Sequence, residues 1–486
     1  MIKHFKDLNL QTKYDIIIVG AGAAGITIAL EFLKTKYKVA LLESGKLNYD
    51  SDYQKLMRGT LSGSYNHHEL DSYRLRQFGG TTNIWGAGVL PFDRLDFQER
   101  KELKLDGWPI KYSELERFYE KSKKYVKVGS EKFLTNEEFN PINRQIIRNK
   151  ILIEKNWLRS KNGANFKELY FDDLKEANNI DVFLETTLTD ISIDKAYVKQ
   201  LIVSNINQGD YSYKKINSKK IILSCGGIET TRLLLNFNNK NNYNIGNYKN
   251  ALGRYYSPHI NIFNGTLITR PGIKISNEYY DINSNIHKRK YLSFSEEFIK
   301  NNNLLNFKSL FESYNEEIDK ENIKELKSLV GNNNSLFSSN NIYSLNTAFE
   351  QTPCYTSNIS IVKDKDPLGL YKVNLNFDIN KKDLEIFNKT YQLIGSQIGF
   401  SKLGFFHYND VRESIKDQIL GSSHHTGSCR IITKNYGGSV DENLKVHGTN
   451  NMYIASSAVF PSPSHANPTF TIIALSIRLA ELLKKS

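Results

Sequence analysis

The sequence predicts an α/β chain of two domains (α+β in overall plan), one on a parallel sheet and one on a sheet of mixed extended runs. Three observations carry this. Tyr14-Asp15-Ile16-Ile17-Ile18-Val19 is an apolar, β-branched run leading directly into a glycine-rich turn and a helix, the pattern of a buried parallel strand. The length of 486 residues exceeds what a single core usually organises. From about residue 266 to 420 extended runs and asparagine clusters replace the strand–helix alternation.

Taken in order, Gly20-Ala21-Gly22-Ala23-Ala24-Gly25 follows the first core strand, and a helix is predicted to about Lys36 with Ile26, Ala29, Leu30 and Leu33 on one face. Lys38-Val39-Ala40-Leu41-Leu42-Glu43 reads as a second strand ending on an acid. Ser113-Glu114-Leu115-Glu116 has the form of a capping box and predicts a helix with Leu115, Phe118 and Tyr119 inward. Residues 180–205 alternate like paired strands, and Ile221-Ile222-Leu223 is a short buried strand. Phe307, Leu310, Phe311, Tyr314 and Ile318, then Ile323, Leu326 and Val330, carry helical spacing, with Gly331 as a stop. An amphipathic helix docked on its own domain is the expectation there, with a mobile lid as the alternative. Asn301-Asn302-Asn303 and Asn332-Asn333-Asn334 read as loops, and further extended runs fall around 358–363 and 371–377.

Composition narrows the classes. With 40% hydrophobic, 12% aromatic and 24% charged residues the chain reads as ordinary soluble globular protein. No segment approaches the ~20 apolar residues that span a bilayer. The start, Met1-Ile2-Lys3-His4-Phe5-Lys6, has no apolar signal region. Cys225, Cys354 and Cys429 lie far apart without metal-ligand spacing, so neither a disulfide framework nor a metal site is expected, and a reducing cytoplasm is the default. The net charge of +13 is spread over dispersed lysines interleaved with acids, as in Lys320-Glu321-Asn322-Ile323-Lys324-Glu325. Without a compact basic tract, nucleic-acid binding is not expected.

The glycine turn carries chemistry. Gly20 permits a tight turn, Gly22 lets a diphosphate approach the backbone, and Gly25 lets helix and strand pack closely. Glu43 stands 18 residues after Gly25 at the end of the next strand, where it can accept hydrogen bonds from ribose hydroxyls. This is a Rossmann-like fingerprint, and alone it does not separate FAD from NAD. Arg76-Gln77-Phe78-Gly79-Gly80-Thr81-Thr82-Asn83-Ile84-Trp85-Gly86 tips the balance, because paired glycines followed by hydroxyl residues can wrap a diphosphate and approach an isoalloxazine ring.

The chain resembles the glucose–methanol–choline (GMC) oxidoreductases, in their shorter, pyranose-oxidase-like form. The likeness rests on Gly20 to Glu43, Gly79 to Gly86, Ser224-Cys225-Gly226-Gly227-Ile228-Glu229-Thr230, Glu350 to Gly369, and Gly427 to Thr471. Smaller matches are Gly107-Trp108-Pro109-Ile110 and Leu252-Gly253-Arg254-Tyr255. The resemblance implies a glucose-oxidase-type FAD/NAD(P)-binding domain, discontinuous over 1–90, 180–265 and 421–486. A helical connecting region would fill 91–179, and a sheet-based substrate domain 266–420. It also implies that His424, three residues before Gly427, is the active-site base and Asn467 its partner. Leu188 would sit where the backbone contacts adenine, and Gly79, Gly80, Thr81, Thr82 and Asn83 would form the flavin loop. Relatives that attach FAD covalently use a histidine where this chain has Ile84, so noncovalent FAD is expected. Ser456 replaces an acid common in relatives, and its hydroxyl can still bond the ribityl chain.

Other histidines compete. If 423–428 run extended, His424 and His425 point to opposite faces and only one can face the flavin; the spacing to Gly427 favours His424. His465 is expected to shape the pocket or helix entry, and His447 to be a loop residue. Cys225 and Cys429 read as small buried fillers.

The expected activity is oxidation of a CH–OH group of a sugar or related alcohol. His424 takes the hydroxyl proton, Asn467 stabilises the developing alkoxide, and hydride passes to the flavin N5. The helix from Pro468 turns its positive end toward the ring. A lyase or other non-dehydrogenating flavoprotein using the same histidine is the alternative, and the electron acceptor (oxygen, quinone or another) is not legible.

Overall fold

In a computed structural model the described residues are 1–133, 151–206, 213–275, 278–281, 285–313, 320, 323–325, 327–328, 341–421 and 423–485. A six-stranded sheet runs in the order Ile2–His4, Ile180–Leu184, Val39–Leu42, Tyr14–Val19, Ser218–Leu223, Met452–Ile454. Every pairing in it is parallel. Ile16, Ile17 and Ile18 are fully buried, as strands covered on both faces require. The helix Ala23–Glu31 packs against the C-terminal helix Pro468–Lys485, which packs in turn on Tyr112–Val126. A three-stranded antiparallel sheet, Thr187–Asp194, Tyr197–Ser204 and Tyr213–Ile216, lies beside this unit.

The second layer is a nine-stranded sheet, ordered Glu278–Asp281, Ile286–Phe294, Phe307–Ser313, Ile342–Phe349, Ile260–Thr269, Ile419–Gly421, Asn66–His67, with Leu152–Ser160 pairing Ile286–Phe294 and Gly404–His407 pairing Ile260–Thr269. The helix Lys381–Phe400 backs it, with Phe387 stacked on Phe349 at 4.3 Å and Tyr391 edge-on to the same ring. Phe307 pairs with Phe349 in register and Lys308 with Ala348. Strand alternation therefore sends Phe307, Ser309 and Phe311 toward that helix and Lys308, Leu310 and Glu312 to the opposite face. Ile260–Thr269 runs through residue 265, and Leu152–Ser160, from the expected connecting region, belongs to this sheet.

Two local expectations are corrected. Phe307, Leu310 and Phe311 lie on a strand, Phe307–Ser313, not a helix. Residues four apart share a face in both structures, so Phe307 and Phe311 satisfied either period, and pairing to strands on both sides decides. Tyr314, Ile318, Leu326, Val330, Gly331 and the 332–334 asparagines lie outside the described residues. The helix Tyr112–Val126 starts two residues earlier than its capping signal implies, with Lys111 rather than Ser113 as N-cap and no side-chain cap. Ser113 is already inside the first turn; Leu115, Phe118 and Tyr119 are buried. No helix among the described residues is long and apolar enough to cross a membrane.

Candidate active site

One cavity of about 450 Å³ joins the ends of the parallel strands to the start of the C-terminal helix, within the range of ligand pockets. At its strand end Gly20 turns at φ +102°, and a Cβ there would meet the Ser224 carbonyl oxygen at 2.7 Å. Gly25 does not line the cavity; a Cβ on it would fall 1.9 Å from the Gly20 oxygen, so its role is the close approach of helix to turn. Gly22 caps the helix Ala23–Glu31, and a Cβ on it would meet nothing within 4 Å. The cavity wall there is Gly20, Gly22, Ala23 and Ala24, with the helix start presenting its unpaired N–H groups.

Glu43 also lines the cavity, buried at the end of its strand. Its carboxylate accepts from the Ala21 N–H at 2.9 Å and the Gly45 N–H at 2.8 Å. Burial pushes its carboxyl up, and these two N–H groups oppose the shift. Ala21 thus braces Glu43 rather than facing the cavity. Gly80, Thr81, Thr82, Ile84 and Leu188 complete this part of the wall. Gly79 and Asn83 do not line it. Gly79, at φ +87°, donates to the Ala21 carbonyl at 2.8 Å, and the Asn83 amide donates to the Phe78 and Gly80 carbonyls at 3.0 and 2.7 Å. Both hold the loop's shape. Ser456 lines the wall while its oxygen accepts from the Ala458 N–H at 3.2 Å, so its O–H proton remains for donation.

At the far end His424, Asn467 and Pro468 meet. His424 Nδ1 lies 3.1 Å from His259 Nδ1, and His259 Nε2 lies 3.1 Å from the Pro463 carbonyl oxygen. A carbonyl only accepts, so His259 Nε2 carries a proton and its Nδ1 is an acceptor. His424 Nδ1 is then the donor, and His424 Nε2 keeps the lone pair. Both rings are neutral in the ordinary range: burial first, then the Lys308 charge, pushes His424 down to about 3, and burial with the His424 charge holds His259 well below its usual value.

Asn467 is oriented by a lysine. Lys308 Nζ donates to Asn467 Oδ1 at 2.7 Å, and Asn467 Nδ2 approaches the Gly88 carbonyl at 3.4 Å. A lysine cannot accept, so the amide cannot flip without losing this bond. The preceding turn is anchored by Ser464 donating to Asp96 at 2.5 Å and by His465 to Asp93 at 2.8 Å. His465 is fully buried and points into that anchor.

His425 belongs to a second chain. His67 Nδ1 donates to the His68 carbonyl at 2.7 Å, so His67 Nε2 accepts from the Tyr256 hydroxyl at 2.8 Å, and that hydroxyl accepts from His425 Nδ1 at 2.7 Å. His425 Nε2 is buried without a partner. His447 is exposed and packs on Tyr248 with centroids 5.1 Å apart. Cys429 is buried as expected, whereas Cys225 is half-buried and lines the cavity; both are free thiols pushed up to about 12 by burial, which leaves neither nucleophilic. His259, Lys308 and Tyr256 were not singled out by the sequence. The match at Leu252-Gly253-Arg254-Tyr255 stops just short of Tyr256 and His259, and the helical reading of 307–318 gave Lys308 no direction.

Residues 353–476 match the family described as GMC oxidoreductase. The GMC oxidoreductase family protein Mala s 12 of Malassezia sympodialis is 29% identical over 123 residues, a stretch that spans 23% of this chain and only 20% of that protein. The fold is shared over nearly the whole chain with pyridoxine 4-oxidase from Mesorbium loti, at TM-score 0.62 and 15% identity, covering 97% of this chain and 99% of that one. Formate oxidase of Aspergillus oryzae, in a structure concerned with FAD modification, gives TM-score 0.61 and 14% identity over 98% of this chain and 99% of that one. With the family matched directly over residues 353–476 and a two-domain α/β fold shared along the chain, this protein resembles the GMC oxidoreductases.

Proposed function

We propose that this chain is an FAD-dependent oxidoreductase that oxidises a CH–OH group of a small alcohol, with a sugar or related polyol as the first class to test. The observation that carries the reading is the His259–His424 relay set opposite a lysine-oriented Asn467 in the same cavity as the glycine turn. The residues fit the cofactor. A Cβ added at Gly22, Gly86 or Gly226 would meet no atom of a non-neighbouring residue within 4 Å, and all three glycines line the cavity. Glu43 would hold the ribose, Gly22 to Ala24 the diphosphate, Leu188 the adenine through its backbone, and Thr81, Thr82 and Ser456 the flavin and its ribityl chain. Ile84 lines the wall without a nucleophile, which supports noncovalent binding. Bound there, FAD supplies a two-electron acceptor for hydride.

The chain's own residues then do three things. His424 Nε2 takes the hydroxyl proton as general base, and its Nδ1–H can share the resulting charge with His259 across their 3.1 Å contact. Asn467 offers an amide N–H to the oxygen as negative charge grows on it. The helix from Pro468 brings the positive end of its dipole to the cavity, which favours nearby negative charge. Anaerobic mixing of purified holoprotein with sugars, polyols and aryl alcohols tests the reading. Loss of flavin colour supports it, and product formed without bleaching assigns the chain to non-dehydrogenating chemistry instead.

A further inference from the structure

Beside the candidate site, Lys308 is a cation with no ion pair among the described residues. It projects from Phe307–Ser313 on the sheet face opposite the Lys381–Phe400 helix and ends 2.7 Å from Asn467 Oδ1. Other cations of that wall have acids. Lys155 pairs with Asp93 at 2.5 Å, Arg289 with Glu312 at 3.4 Å, and Arg100 with Glu350 at 2.6 Å. Among the described residues Lys308 has no carboxylate within 4.0 Å, and one of its three donors is used, by a neutral amide. Its titratable neighbours His424, His259 and His465 supply no negative charge. Burial first, then the Arg289 charge, pushes its ammonium down to about 7, the expected response of a buried cation without a counter-ion. Lys308 is half-buried rather than fully enclosed, and it is one contact away from the cavity, through the Asn467 amide that lines it.

We propose that the substrate itself brings the counter-ion: an alcohol with a carboxylate close to the reacting carbon, its carboxylate paired with Lys308. Asn467 is the group that would meet the reacting hydroxyl, and Lys308 Nζ lies 2.7 Å from its amide oxygen, so a carboxylate near the carbinol is the one that could reach the lysine. A monoanion matches the one charge left unpaired here among the described residues, since Arg289 already has Glu312. This rests on the reading of His424 and Asn467 as the site of alcohol oxidation, and Lys308 is both a positioning residue for Asn467 and the specificity residue for the acid.

The test uses holoprotein and pairs of 2-hydroxy and 3-hydroxy acids with their amides, plus acetate and acetamide as unreactive probes. Binding is measured by calorimetry and by perturbation of the flavin spectrum, and oxidation by anaerobic bleaching. Carboxylates should bind at least about tenfold more tightly than the amides, the worth of one charge-assisted hydrogen bond. Lys308→Met should abolish that preference, and Lys308→Arg should restore most of it. Equal binding of acid and amide by the wild type, a comparison that needs no variant, overturns the proposal, as does a preference unchanged in Lys308→Met. Carboxylate preference without bleaching by any alcohol would sink the oxidation reading and leave the Lys308 assignment standing. Bleaching by neutral alcohols with no preference for acids would do the reverse.

Discussion

His424 and His425 are neighbours in sequence and both end a chain of neutral hydrogen-bonded rings, yet their surroundings differ. The supports come from one loop, His259 for the first and Tyr256 for the second. In both chains a backbone carbonyl at the far end, Pro463 or His68, fixes the tautomers so that the terminal Nε2 carries the lone pair. The difference lies at the other end. Both residues line the cavity, but the His424 ring lies near Lys308, the lysine that orients Asn467, whereas His425 Nε2 is buried with no partner. A relay makes an imidazole a defined acceptor; only access and a second polar group aimed at the same point make it a base. For His425 the relay ties the loop at Tyr256 to the strand at His67.

The largest expected effect separates the two directly. His424→Ala should slow flavin reduction by ~10²–10⁴-fold with FAD still bound, the usual worth of general-base catalysis. Asn467→Ala should cost roughly 10²–10³-fold, and the double variant less than the product, since both groups act on one hydroxyl. Rates in single-turnover mixing check both, and additive losses would mean that the two side chains act on different atoms. His259→Ala removes one hydrogen bond from behind the base and should cost about 3–10-fold in reduction rate. His425→Ala should leave reduction near wild type and instead lower unfolding stability by about 1–3 kcal/mol, because Tyr256 loses its donor in a buried site; a denaturant titration reads this. The smallest effect is an absence. With the His424 ring held down to about 3, reduction should not fall as pH drops through its ordinary value of about 6.5. The linked stability runs the other way. The unfolded ring takes a proton below about 6.5 and the folded one does not, so this site loses stability as pH falls from there toward 3.

What could be read without the fold was local. Gly25 answers a steric demand visible within one strand–turn–helix unit, where a side chain would fall 1.9 Å from the Gly20 oxygen; Gly20 answers one set by Ser224 of another strand end, and Gly22 leaves open space. Pro468 at the helix start was legible for the same reason. His424 and Asn467 needed a family motif to be paired, being 43 positions apart. What could not be read was supplied by other elements: His259 from the loop before a sheet strand, and Lys308 from the middle of one. Nothing near either residue marks it, and topology alone brings both to the pair. The Phe307–Phe311 error had a similar source, since a spacing of four fits both helix and strand until the partners are known.

The most direct measurement is anaerobic stopped-flow reduction of the bound flavin by one reactive alcohol in wild type, His424→Ala, His425→Ala and His465→Ala. It follows the chemical step apart from the electron acceptor. The expected result is collapse of reduction in His424→Ala alone, with the other two variants close to wild type and all four proteins holding FAD. Reduction that survives in His424→Ala but collapses in His425→Ala or His465→Ala would contradict the assignment of the base.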